Sequence, residues 1–311
     1  MSLQGEIKAL VKVTAWVIIS MTYARHASSR IRSGKPRLLS LLPIILLLLH
    51  LPWSFASVNL RGGFAFLLAW LAVFKLLLLS FGVGSLSPSL PLPTFIATSS
   101  LPVKLALSRS ESPSSSILAT SCIKTLLLAL LFPLYSYKSA INSYLLLVIY
   151  SLHIYLILEI ALSITGFLAS SLGLDIEPQF NAPLKSESLQ DFWGRRWNLM
   201  VTSILRPSVY YPVRSRFGTI AGVMAAFLVS GLMHEGLSTV AEVTARGWVV
   251  EADASGGGRW TTLGFVLLTS FWLFFPPFLR GEAEENWLQE YMEVARLVEV
   301  RGEAMLRRLT G

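Results

Sequence analysis

Histidine is the side chain best suited to moving protons near neutral pH, and this chain has four: His26, His50, His153 and His234. Their spacing narrows the chemistry. No two stand three to five residues apart, so the paired-histidine metal sites of helical metalloenzymes are not encoded. The one cysteine, Cys122, can form neither an intramolecular disulfide nor a cysteine metal cluster. The sequence contains no G-x-S-x-G, no Gly-rich loop ending in Gly-Lys-Ser or Gly-Lys-Thr, and no Asp within five positions after His153 or His234. A serine nucleophile elbow, a P-loop and a His–Asp arrangement are therefore not indicated. The chemistry left open is that of a single histidine acting as a general base, with no metal.

His26 lies in a basic loop and His50 near the end of an apolar run. His153, in "YSLHIYLILEIAL", shares its run with Glu159, but a spacing of six places the two on different helix faces. An ionisable group inside an apolar run is costly and is a functional candidate for that reason. His234, in "AGVMAAFLVSGLMHEGLSTV", is the more telling one. Stepping by four gives Gly222, Ala226, Ser230, His234 and Ser238, a face of small residues with an imidazole set in it. Small faces serve close packing of membrane helices; a groove of this kind would equally admit an acyl chain with His234 at its reactive end.

A second concentration of polar and aromatic groups is "LQDFWGRRWNLMV", residues 189–201. The expected element is one amphipathic helix, with Ser188 as N-cap, Asp191 at its third position and Pro207 limiting its far end. On it Trp193, Trp197, Met200 and Ile204 form one stripe, and Asp191, Arg195, Asn198 and Thr202 form another on nearly the opposite side. Asp191 and Arg195, four apart in the favourable order, predict a helical ion pair. Trp and Arg are also what a membrane-surface anchor uses.

The elements that must position these groups are membrane helices. With 53% hydrophobic and only 14% charged residues, the composition is far from that of a soluble domain. Seven runs are long enough to cross a hydrocarbon core of ~30 Å: roughly 7–24, 38–56, 62–81, 116–134, 142–170, 217–240 and 261–279. The expected fold is an all-α polytopic membrane helix bundle with amphipathic interfacial helices. The basic residues alternate along the connections, five in 25–37, only Arg61 in the next, Lys104 and Arg109 in the following, only Lys138, then six in 171–216. This alternation predicts a lumenal N-terminus and a cytosolic 171–216 segment. The net charge of +8 is accounted for by topology and anionic headgroups; without a basic stripe interleaved with exposed aromatics, no nucleic-acid partner is expected. Residues 281–311 are charged, with Trp287, Tyr291, Val294 and Val298 at helical spacing, an amphipathic tail beyond a membrane domain of residues 1–280. Oligomeric state is not encoded in any of these features.

"DIEPQFNAPLKSESLQDFWGRRWNLMVTSILRPSVYYPV" followed by "FLVSGLMHE" resembles the plant wax synthase branch of the membrane-bound O-acyltransferase superfamily. "YSLHIYLILEI" and "GFVLLTSFWLFFPP" are similar to spans of the same branch. The resemblance implies a multi-pass protein of the endoplasmic reticulum membrane that joins a fatty acyl group from acyl-CoA to the hydroxyl of a long-chain alcohol. Acyl-CoA is then a co-substrate and no cofactor is implied. Matched residue by residue, the family's membrane-embedded His falls on His234, implied to be the general base, and its motif Asn on Asn198, implied to hydrogen-bond the His or the reacting carbonyl. Arg195, Arg196 and Arg206 are expected to meet the CoA phosphates. Trp193 and Trp197 are expected to line the acyl tunnel, with Ser230 on the substrate face. In one respect the chain departs from the pattern: "EGLSTVAEVTARGWVVEADASGGGRW" stands where the family has a further span. Acceptors such as diacylglycerol or sterols, or a catalytically impaired membrane protein lacking that span, are the alternative expectations.

Overall fold

A computed structural model describes residues 3–105, 114–171, 173–174 and 176–241, and its regular structure is helical apart from one antiparallel bridge between Leu105 and Ile176. Helices dominate because the Leu-rich runs can satisfy every backbone group within themselves, which a bilayer interior requires. α1 (Leu3–Arg30) gives way to a turn at Gly34, whose φ of 114° suits only glycine, and Pro36 then opens α2 (Lys35–His50). Ser57 caps α3 (Val58–Phe64) by accepting from Leu60 N at 3.2 Å. α3 runs through a π-helical stretch (Ala65–Ala72) into α4 (Val73–Ser80). A short α5 (Leu92–Ser100) follows, then α6 (Ser114–Leu131), a 3₁₀ turn (Phe132–Tyr137) and the long α7 (Ser143–Ser171).

The first five helices share one core. Val13, Val17, Met21 and Ala24 recur at three- and four-residue steps on α1, as do Leu41, Ile45 and Leu48 on α2. They close on Leu68, Ala72, Leu76 and Leu79 of the next crossing and on Phe95 of α5. That crossing, Leu60–Ser80, is half buried and is the central helix of this group.

Charged groups inside this bundle end on backbone. The buried Lys75 Nζ donates to the carbonyls of Thr98 (2.6 Å), Leu101 (2.7 Å) and Val103 (3.4 Å), acceptors left open where α5 ends. At the opposite pole of a helix, Glu6 Oε1 accepts from Ala56 N (3.1 Å) and Ser57 N (2.9 Å) just before α3. Arg37 donates to Ile31 O and Leu79 O, and Gly34 N to Ser80 O, so the basic 25–37 turn and the end of α4 lie at one end of the bundle.

α6 and α7 form an antiparallel arm held by a Lys124–Glu159 ion pair (2.5 Å) and by a hydrogen bond between the Tyr135 hydroxyl and His153 Nδ1 (3.0 Å). A Lys104–Glu177 ion pair (2.6 Å) and the Leu105–Ile176 bridge bring the connections after α5 and α7 together, as the alternation of basic loops requires.

Among the described residues, five helical segments are long and apolar enough to cross a membrane: Leu3–Arg30, Lys35–Ser54, Leu60–Ser80, Val148–Ser170 and Leu199–Met233. The expected count of seven is lowered for two reasons. The fourth run supplies only a shorter apolar helical stretch, Ser121–Tyr137. The seventh, 261–279, lies outside the described residues, as do the 281–311 tail and most of the 235–260 segment.

Candidate active site

Residues 189–210 fold into four short elements, broken at Trp197–Asn198, where a continuous helix was expected. Ser188 does act as the cap, its Oγ accepting from Asp191 N at 3.1 Å, and α8 (Leu189–Asp191) follows. The chain then widens into a π turn (Phe192–Arg196), closed by Trp197 N donating to Phe192 O at 2.8 Å. Trp197 is extended and Asn198 is left-handed, at φ 39° and ψ 67°, which ends the helix; Asn is one of the few residues that adopts this conformation readily. α9 (Leu199–Leu205) starts afresh with Asn198 as its own cap. A second π turn (Arg206–Tyr210) leads into α10 (Tyr211–Ala241), which breaks at Gly218, φ 87°.

The π turn moves the predicted ion pair by one position. Asp191 Oδ2 accepts from Nε of Arg196, not Arg195, at 2.5 Å, because a π turn stacks residues five apart. The Arg196 guanidinium holds the Asp191 carboxyl below its ordinary pKa. The expected Trp stripe is likewise replaced by a ring cluster. Trp197 stacks on Phe192 (5.3 Å between centroids) and meets Phe180 (5.1 Å) and Tyr155 of α7 (5.9 Å). Trp193 meets Phe192 (4.9 Å), Trp197 (6.0 Å) and, edge-on, Phe227 of α10 (6.0 Å).

The other candidates are placed as follows. Asn198 Oδ1 accepts from Val201 N at 3.4 Å. Arg196 also donates to Asn181 O (3.3 Å), which ties the segment to the preceding loop, and Arg206 donates to Gly194 O (2.8 Å), which stitches the segment to itself. Arg195 is exposed. The small face of α10 turns inward: Gly222 lies so close to Tyr210 O and Arg214 that a Cβ there would stand 3.0 Å from each, and Ser230 is buried. Ile220, Met224, Leu228 and Leu232, on the far side, are exposed. The backbone of His234 lies in α10, one turn beyond Ser230; its side chain lies outside the described residues.

Both motifs converge on one apolar cluster. Met200 and Ile204 of α9 pack with Trp70, Leu71 and Leu78 of the central crossing, and Met233 of α10 packs against the same group. Asn198 precedes Met200 by two residues and His234 follows Met233 directly, so a single cluster carries the two segments into one neighbourhood. A small cleft lined by Leu78, Gly84, Met200, Ser203 and Ile204 opens beside it. Two contributors had no sequence signal. Gln179 sits in a loop without periodicity, and Tyr155 reads as an ordinary apolar-run residue although it hydrogen-bonds Glu159 and meets Trp197.

A model of the membrane bound O-acyl transferase family matches residues 176–252, which includes both motifs. The chain is 40% identical to a probable long-chain-alcohol O-fatty-acyltransferase of Arabidopsis thaliana, over 91% of this chain and 93% of the relative. It is 36% identical to an acyl-CoA–sterol O-acyltransferase of Arabidopsis thaliana, over 94% and 97%. It is 34% identical to the long-chain-alcohol O-fatty-acyltransferase of Simmondsia chinensis, over 94% and 95%. The first of these alignments spans 322 positions, whereas 91% of 311 residues is about 283, so about 39 aligned positions have no residue in this chain. No solved structure matches the chain.

Proposed function

The chain belongs to the membrane bound O-acyl transferase family, in the branch of the plant long-chain-alcohol O-fatty-acyltransferases, and from this premise we propose that it transfers a fatty acyl group from acyl-CoA to a long-chain alcohol. The products are a wax ester and free CoA. His234 is the general base: it takes the alcohol proton as the oxygen attacks the thioester carbonyl carbon, and returns it to the departing CoA sulfur. The thioester is already activated, so the transfer needs no metal or cofactor. Asn198 hydrogen-bonds at the reacting centre, and the Arg195 guanidinium, exposed on the basic side, is free to meet phosphate. Arg196 and Arg206 hold the segment's backbone, and Trp193, Trp197 and Ser230 face the path of the acyl chain. The enzyme works as a multi-pass protein of the endoplasmic reticulum membrane.

The observation that carries this reading is the shared cluster of Met200 and Met233, which accounts for why two motifs about thirty residues apart serve one reaction. The test is ester formation from labelled acyl-CoA in microsomes containing the protein, run across fatty alcohols, diacylglycerol and sterols. Wax ester is expected, and its loss in His234→Ala at unchanged protein level. Retained synthesis in that variant would exclude the base. A sterol acceptor is the second reading, favoured by the sterol O-acyltransferase among the relatives, and a sterol ester as the dominant product would establish it.

A further inference from the structure

The first turn of α9 offers three N–H groups that the helix cannot satisfy, and Gln179 fills two of them. Its carbonyl accepts from Leu199 N (2.9 Å) and its side-chain Oε1 from Met200 N (3.0 Å). Asn198 Oδ1 takes the third, Val201 N. Gln179 is buried, and its Nε2 donates to Glu177 O at 3.0 Å, so the carboxamide is fixed from both sides. The loop that carries it is anchored in turn by Glu177 N on Lys104 O (2.9 Å) and by the Lys104–Glu177 pair.

This arrangement determines what Asn198 can offer. Asn adopts the left-handed conformation more readily than most residues, and its neighbours decide whether it is held there. Here the enforcement comes from Gln179, which grips the two residues immediately after Asn198. With Oδ1 committed to Val201 N, the Asn198 group left for chemistry is Nδ2, a donor. A donor suits a thioester oxygen that gains negative charge as the alcohol attacks. It does not suit the lone pair that His234 needs for the proton.

We propose that Gln179 is a positioning residue for acyl transfer: by accepting from Met200 N it holds the start of α9 in register and presents Asn198 Nδ2 to the reacting carbonyl. The proposal rests on the reading of Asn198 as a catalytic group. Gln179→Met keeps the length and removes the acceptor, whereas Gln179→Glu keeps an acceptor. In microsomes at matched protein level, Gln179→Met is expected to lower kcat about ten-fold. KM for acyl-CoA and for the alcohol should stay within about two-fold, since Gln179 touches neither. Gln179→Glu, which keeps the acceptor for Met200 N and loses the donor to Glu177 O, recovers part of the loss. The double variant Gln179→Met/Asn198→Ala is no slower than Asn198→Ala, because Gln179 acts only through Asn198. Should Gln179→Met not accumulate, Gln179→Asn, which withdraws the acceptor from Met200 N, carries the same prediction. A kcat near wild type in these variants, equal damage from Glu and Met, or multiplied losses in the double variant would each overturn the proposal. A wild-type rate in Asn198→Ala would instead overturn the reading of Asn198 beneath it.

Discussion

Charges in the first five helices and charges in the segments after them are neutralised in different ways. In the amino-terminal bundle Glu6, Arg25, Arg37, Arg61 and Lys75 all end on backbone N–H or C=O groups. After residue 103 the described residues show three side-chain ion pairs, Lys104–Glu177, Lys124–Glu159 and Asp191–Arg196. The first mode caps helix ends and turns, across sequence separations of up to 65 positions. The second ties elements that are up to 73 positions apart in sequence. The bundle is thus a scaffold whose charges complete its own helices, and the later segments are a set of loops and helices held on it by paired charges, with the candidate site among them.

Four substitutions test this division. The largest effect belongs to the chemistry: His234→Ala should lower ester synthesis by about 100-fold or more without loss of protein. A near-normal rate would place the chemistry elsewhere. Next is Lys124→Leu, which leaves the Glu159 charge without its counter-ion, with the Tyr155 hydroxyl as its remaining named partner, and should cost about 3 kcal/mol of stability, read as a lower thermal midpoint in detergent. Replacing both partners by Leu should recover most of that loss, since no unpaired charge then remains. Lys75→Met should cost about 2 kcal/mol, because three carbonyls lose their donor; no double substitution at a side-chain partner can rescue it, which separates the backbone-capping mode from the ion-pair mode. Asp191→Asn should have the smallest effect. Because Arg196 depresses the Asp191 carboxyl, its contribution is present above the ordinary carboxylate range and vanishes as pH falls through the lowered pKa. The thermal midpoints of the wild type and of the Asp191→Asn variant should therefore converge in acid; a constant gap would mean that the ion pair contributes nothing.

Sequence patterns anticipated the five spans found among the described residues, because hydropathy reports a property each residue carries by itself. They anticipated the inward small face of α10 and the Ser188 cap, which depend on spacings of three and four. They missed the break at Asn198, because it depends on Gln179, nineteen residues earlier and in a loop with no period to read. They missed the Asp191–Arg196 register because a π turn is written in the same residues as an α turn. Lys75 is a charge within the 62–81 run, but which acceptors it finds is set by where α5 stops.

A π turn is geometrically an α-helix with one residue to spare. The stretch from Phe192 to Arg196 therefore behaves as an insertion that the fold has absorbed without lengthening the element. Excising Gly194 alone would let the turn relax to the tighter pitch, bring the present Asp191–Arg196 contact to a spacing of four, and leave Trp197 and Asn198 rotated about the axis from their current bearings. One glycine would then act as the molecule's phase adjustment, a length change of a single residue that shifts the angular setting of everything the motif displays.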